Sequence, residues 1–185
     1  KGRIREQESV GKLNNKAKTQ NNTSLSKNRI KTEKKHIRGN DTLKANEYVV
    51  VVETLILNSK GQILLGQRSE NKKRNPLKWE TTQGSVKSGE DSKIAAIREL
   101  KEELGIEVSE GNLNYVQTLK DDDEHIFKDM FWAKKDIDIN QVRFTDGEVV
   151  DAKWVDINEF NNMSKLNQLA SNMDFDLDKI KNIKF

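Results

Sequence analysis

Tyr48-Val-Val-Val-Val-Glu-Thr-Leu-Ile-Leu57 is an almost unbroken run of β-branched and aliphatic residues. Such a run reads as a strand buried on both faces, because a sheet with one wet face alternates apolar and polar side chains. Asn58-Ser-Lys-Gly61 then has turn chemistry. Gln62–Arg68 returns as a second strand, so the pair is expected to form a hairpin. Trp79–Gln83, Leu113–Leu119, His125–Ala133 and Val149–Val155 read as further strands, with the acidic turn Asp121–Glu124 between two of them.

Ser88 and Asp91 fit a capping box and open a helix that runs to Leu104, where Gly105 supplies a C-terminal stop. Asp156 caps a short helix over Ile157–Met163, and Leu166–Ile183 is expected to be a third. Strands mixed with one long central helix point to an α/β fold, a sandwich around a mixed β-sheet.

Charge divides the chain. Residues 1–45 hold thirteen Lys/Arg against four Asp/Glu, a formal +9, whereas all 185 residues sum to +3, which leaves 46–185 at −6. The first part, rich in Lys, Asn, Ser and Thr, reads as a basic, disordered tail or linker with nucleic acid as a candidate partner. The second reads as the folded domain. Cysteine is absent, which excludes disulfides, zinc–thiolate sites and thiol nucleophiles. No apolar run approaches the roughly 18 residues of a spanning helix, and Lys1-Gly-Arg-Ile-Arg5 has no apolar stretch behind it. The expectation is a cytoplasmic protein without a membrane partner.

The chemistry concentrates on the long helix. At about 100° per residue, Ile97, Leu100 and Leu104 make one apolar stripe, while Glu99, Glu102 and Glu103 cluster on the opposite side around Ala95. Three neighbouring carboxylates repel one another at neutral pH. A hard cation relieves that repulsion, and oxygen donors without His or Cys select Mg²⁺ or Mn²⁺ over zinc. A solvated glutamate-rich face is the simpler reading of the cluster alone.

The surrounding spacing is more specific. Gly84, five residues, Glu90, seven residues, then Arg98-Glu99-Leu-Lys-Glu102-Glu103-Leu-Gly105-Ile106 match the pattern G-x5-E-x7-R-E-U-x-E-E-x-G-U, with U aliphatic, at every position. With seven fixed residues at roughly 6% usage each, a chance match at a given start is on the order of 10⁻⁹. The segment resembles the signature of the Nudix (MutT-like) hydrolases. The resemblance is tight over 84–106 and looser over 47–160.

The resemblance implies an α/β/α sandwich over residues 46–185 and hydrolysis of a nucleoside diphosphate linked to another moiety. It implies Mg²⁺, or Mn²⁺, held by Glu99, Glu102, Glu103 and the Gly84 carbonyl, with Glu99 or Glu103 taking the proton from water. Arg98 would orient a glutamate of the signature by pairing with Glu90, and Gly84 and Gly89 would shape the loop. Outside the signature, Glu148 and the Asp121–Glu124 turn are candidates for one more acid. Arg68, Lys72, Lys73, Arg74 and Lys78 are candidates for phosphate contacts, and Trp79 and Phe127 for stacking on a base.

The proline that marks the ADP-ribose subgroup is missing beyond the signature, since Pro76 is the only proline. Tyr115 stands too close to the signature for the tyrosine of the dinucleoside polyphosphate subgroup. Lys78-Trp-Glu80 is similar to isopentenyl diphosphate isomerases, whose mechanism needs the cysteine this chain lacks. Trp79…Gln83-Gly84 is similar to RNA pyrophosphohydrolases, which with the basic tail makes capped or triphosphorylated RNA an alternative substrate, beside (deoxy)nucleoside triphosphates in a nucleotide-pool cleaning role. A nucleotide-sensing module without turnover is the rival from another class, and a homodimer is compatible with the sequence.

Overall fold

The computed structural model describes residues 47–173. The tail over 1–45 and the end of the expected third helix lie outside these residues. Seven strands form one sheet in the order β3 (Trp79–Glu80), β2 (Ile63–Arg68), β1 (Val49–Leu57), β6 (Ile126–Lys134), β5 (Asn114–Asp121); β4 (Thr82–Ser85) also pairs with β1, and β7 (Val149–Val155) with β2. β1 and β6 run parallel over nine residue pairs, and the other pairings between these seven strands are antiparallel. The sheet is therefore mixed.

The buried run around β1 is central, as its composition requires. Alternate residues feed two separate cores. Val52 and Ile56 pack with Leu64, Phe131 and Ala152 beneath Ala95, Ala96, Leu100 and Leu104 of helix α1 (Ser92–Leu104). Leu55 and Leu57 pack on the other side with Ile63, Leu65 and Val155 beneath Phe160 and Met163 of helix α2 (Ile157–Lys165). The result is the α/β/α sandwich.

Four local expectations change. β1 and β2 share only the Leu57–Ile63 pair, because β4 and β6 occupy the edges of β1 and β2 diverges to pair with β7 and β3. The Trp79–Gln83 segment breaks at Thr81, so β3 serves β2 and β4 serves β1. Helix α1 begins later than the Ser88 reading: Asp91 is its N-cap and accepts from the Ile94 N–H at 2.8 Å, while Ser92 reaches across to Asp129. Leu166–Met173 is not helical; its chain docks beside β3, where Trp79 N–H donates to Gln168 O and Ala170 N–H donates to Trp79 O.

Asp156 caps α2 as expected, accepting from the N–H groups of Asn158 and Glu159 at 2.8 Å each. Asp156→Ala should lower unfolding stability by about 1 kcal/mol, read by denaturant titration, without touching the α1 face.

Candidate active site

Three segments build the site: β4 with its following loop, the last two turns of α1, and β3 with the approach to β7. Gly89 (φ +90°) turns the chain ahead of α1, and Gly105 ends the helix in the left-handed region at φ +68°. Their backbone conformation is one that side chains with a Cβ rarely adopt.

Arg98 is the hub. Its Nε and Nη2 grip both oxygens of Glu90 at 2.7 and 3.0 Å. Nη1 donates to Glu99 at 2.6 Å and to Glu102 at 2.9 Å, and Nη2 also reaches the Ser85 carbonyl at 2.9 Å. One guanidinium thus ties the loop after β4 to three glutamates. Burial works to lower the Arg98 pKa, but the hydrogen bonds it donates to Glu90, Glu99 and Glu102, with the charge of Glu99, outweigh it and hold the pKa above its ordinary value. Arg98 in turn pulls Glu90 below the usual carboxylate range.

Gly84 lies under Glu99. A Cβ built on Gly84 would stand 1.9 Å from Glu99 Cδ and 2.4 Å from its Cγ. The Glu99 carboxylate thus fills the space a side chain at position 84 would take. Burial is the largest influence on Glu99 and raises its pKa, only partly offset by Arg98.

The helix face differs from the periodicity reading. Glu103 does not point outward with Glu102; its residue is 4% exposed and belongs to the packed side with Ala96 and Leu100. Ala95 is fully buried as well. Ile97, one of the three residues of the expected apolar stripe, is half-buried where Leu100 and Leu104 are buried. The stripe is rotated so that the carboxylates of Glu99 and Glu103 turn toward the sheet. Burial drives the Glu103 pKa well above the ordinary carboxylate value, and the charges of Glu80, Glu99, Asp146 and Glu148 push it further.

Outside the signature, the basic loop between β2 and β3 is tied to acids. Arg68 pairs with Glu80, Lys72 with Glu148, and Arg74 forks onto Glu124 at 2.6 and 3.0 Å. Lys78 donates to the Asn167 carbonyl. Glu148 is half-exposed and belongs to the electrostatic neighbourhood of Glu103. Trp79 lies on the α2 side of the sheet, packed against the Leu55–Val155 core with Lys153 Nζ 4.7 Å from its ring centroid. Phe127 is half-buried in β6, opposite Val50 and Lys120. Neither aromatic packs with the glutamates in the contacts just described.

Two buried glutamates escaped the sequence reading of the site. Glu53, inside the apolar run of β1, is fully buried, takes a 2.7 Å hydrogen bond from Thr81 and lies 3.3 Å from Lys128 Nζ. Glu80 is 3% exposed in β3. The available signal was the same for both: a carboxylate inside a strand expected to be buried must find a partner.

Among the described residues no three acidic or histidine side chains already surround one point. Arg98 holds Glu99 and Glu102 by their oxygens, and Lys72 holds Glu148. The donor set nevertheless fits a hard divalent cation. It is all oxygen, the buried Glu103 and the half-buried Glu99 both have raised pKa values, and Glu80 Oε2 is buried without a partner.

A family model described as the NUDIX domain matches residues 47–175. The chain belongs to the Nudix family. It is similar to an uncharacterized Nudix hydrolase of Listeria innocua, 36% identical over 132 residues that cover 71% of this chain and 76% of the relative. A MutT protein of Methanosarcina mazei superposes with a TM-score of 0.54 at 28% identity, over 67% of this chain and 86% of that one. An RNA pyrophosphohydrolase of Roseobacter denitrificans is 41% identical over 59 residues, 32% of this chain and 35% of the relative. The Nudix chain is accordingly a hydrolase. No helix among its described residues is long and apolar enough to cross a membrane.

Proposed function

We propose that this Nudix hydrolase cleaves a phosphoanhydride bond in a nucleoside diphosphate linked to another moiety, with Mg²⁺ or Mn²⁺ held by Glu99, Glu102, Glu103, Glu148 and the Gly84 carbonyl. The observation that carries the reading is Glu99 seated over Gly84 and held by the Arg98 hub, with the buried, electrostatically crowded Glu103 on the same helix. Bound Mg²⁺ supplies two things: it lowers the pKa of a coordinated water and neutralises charge on the phosphoryl oxygens.

The chain's own residues do the rest. Glu99 or Glu103 accepts the proton of the attacking water, and the raised pKa of each suits a carboxylate to that task. Arg98 orients Glu99 and Glu102 without touching substrate. Lys72 and Lys78, at the rim of the basic loop, hold phosphate oxygens, with Lys73 and Arg74 alongside.

A second reading, hydrolysis of 5′-triphosphorylated RNA, is favoured by the match to RNA pyrophosphohydrolases over about a third of the chain and by the +9 charge of residues 1–45. One panel separates the readings. Nucleoside triphosphates, dinucleoside polyphosphates, ADP-ribose and 5′-triphosphorylated RNA are assayed with Mg²⁺ and with chelator. Turnover of at least one substrate is expected, abolished by chelator. Deleting residues 1–45 should leave small-nucleotide turnover intact and depress turnover of RNA. Nucleotide binding with no turnover of any panel member would replace the enzyme by a sensing module.

A further inference from the structure

Glu80 lies outside the Nudix signature, yet the structure treats it as part of the same site. Its side chain is 4% exposed. Oε1 takes the Arg68 guanidinium, and Oε2 is buried with no hydrogen-bond partner at all. A buried carboxylate oxygen without a donor loses its hydration without compensation, so it calls for a physical reason.

Placement supplies one. Glu80 is the register partner of Gly66, and a Cβ on Gly66 would lie 3.7 Å from Leu104 Cδ2. Leu104 is the helical neighbour of Glu103, so the Gly66–Glu80 pair sits beneath the C-terminal turn of α1. Among the charges acting on Glu103, Glu80 is the strongest, ahead of Glu99, Asp146 and Glu148. The charges of two buried carboxylates, one from the sheet and one from the helix, therefore oppose each other. Arg68 neutralises only one side of Glu80. A structural role as the anchor of Arg68 explains Oε1 and leaves Oε2 unexplained.

We infer that Glu80 is an additional carboxylate ligand of the divalent cation, contributing Oε2 from the sheet side opposite Glu103. The inference rests on the metal-dependent reading above. It assigns the site a ligand from β3, four residues before the signature begins, and gives Arg68 the role of holding that ligand's other oxygen.

The test is Mn²⁺ binding to the nucleotide-free full chain, followed by electron paramagnetic resonance, in wild type, Glu80→Gln and Glu80→Asp. Glu80→Gln keeps the size of the side chain and removes a repelling charge, so the folded state is retained. Both variants should bind Mn²⁺ at least tenfold more weakly than wild type. Glu80→Asp is decisive, because it keeps the negative charge while withdrawing the oxygen by one methylene. Wild-type affinity in Glu80→Asp would overturn the inference, leaving Glu80 as a through-space charge. Wild-type affinity in Glu80→Gln would overturn it as well. No Mn²⁺ binding by wild type itself would overturn both this ligand and the metal reading, an outcome distinct from the other two.

Discussion

Glu103→Gln lowers turnover of the panel substrate by roughly 10²–10⁴-fold, while the metal-free variant melts at a higher temperature than wild type. The two effects have one cause. Glu103 is buried in the helix–sheet interface, and its pKa stands well above the ordinary 4.5 because burial and four neighbouring carboxylates oppose its charge. In the unfolded chain that carboxyl ionises near 4.5. Between this value and the raised folded value, the native state keeps a proton that the unfolded state has released. Wild-type stability therefore falls as pH rises through that window.

Glutamine has no such proton. The advantage of the variant is absent below about pH 4.5, grows through the window, and is complete above the folded pKa. A gain of about 1 kcal/mol would appear as a rise of roughly 4 °C in Tm. Added Mg²⁺ should reverse the order, since a ligand bound only by the native state stabilises it, and the variant has lost a donor. Melting curves in chelator and in Mg²⁺ across pH check every part. Near-normal turnover, or a metal-free variant less stable than wild type at neutral pH, would remove Glu103 from the site.

The behaviour of Glu103 shows what periodicity can and cannot deliver. An average helix of 3.6 residues per turn correctly separates Leu100 and Leu104 from Glu102. It then places Glu99 and Glu103 with Glu102, since every carboxylate is assumed to seek water. The real buried arc includes Glu103, with Glu99 half-buried beside it, because Gly84 leaves room for the Glu99 side chain and β3 brings up Glu80, whose charge acts on Glu103. Those partners are brought in by strand register, a long-range property that no window along α1 contains.

The same limit explains the hairpin. The turn Asn58–Gly61 was legible, and its Asn58 side chain does accept from the N–H groups of Lys60 and Gln62 at 3.0 and 2.9 Å. What the local pattern missed was competition: β6 and β4 pair with β1 more extensively than β2 does. The fold class, by contrast, was readable, because a strand apolar on both faces has no stable place except between layers. Trp79 was readable only as an aromatic with a choice of faces, and the Leu169 bridge beside it settles it on the α2 side.

Gly84→Ala should reduce turnover about 10²-fold while changing Tm little. The added methyl would meet Glu99 Cδ at 1.9 Å, Oε1 at 2.2 Å and Cγ at 2.4 Å. Contacts that short are not sustainable, and β4 cannot retreat, because Gly84 is paired with Val52 in the middle of the β1–β4 ladder. The glutamate is the softer partner, so it moves. Its displacement is on the order of 1 Å, enough to break the 2.6 Å Arg98–Glu99 hydrogen bond or to carry Arg98 with it. Since Arg98 also holds Glu90 and Glu102, the shift spreads to the whole carboxylate set. The fold has little reason to suffer. Gly84 has ordinary strand geometry rather than a positive φ, and alanine costs nothing in backbone conformation there. The signature glycine at this position is thus needed for the volume of Glu99 and not for a turn. Kinetics beside thermal melting separates the two explanations: a lost Tm with proportionate loss of activity would assign Gly84 to folding, whereas a folded, slow enzyme with weakened Mn²⁺ binding would assign it to the seat of Glu99.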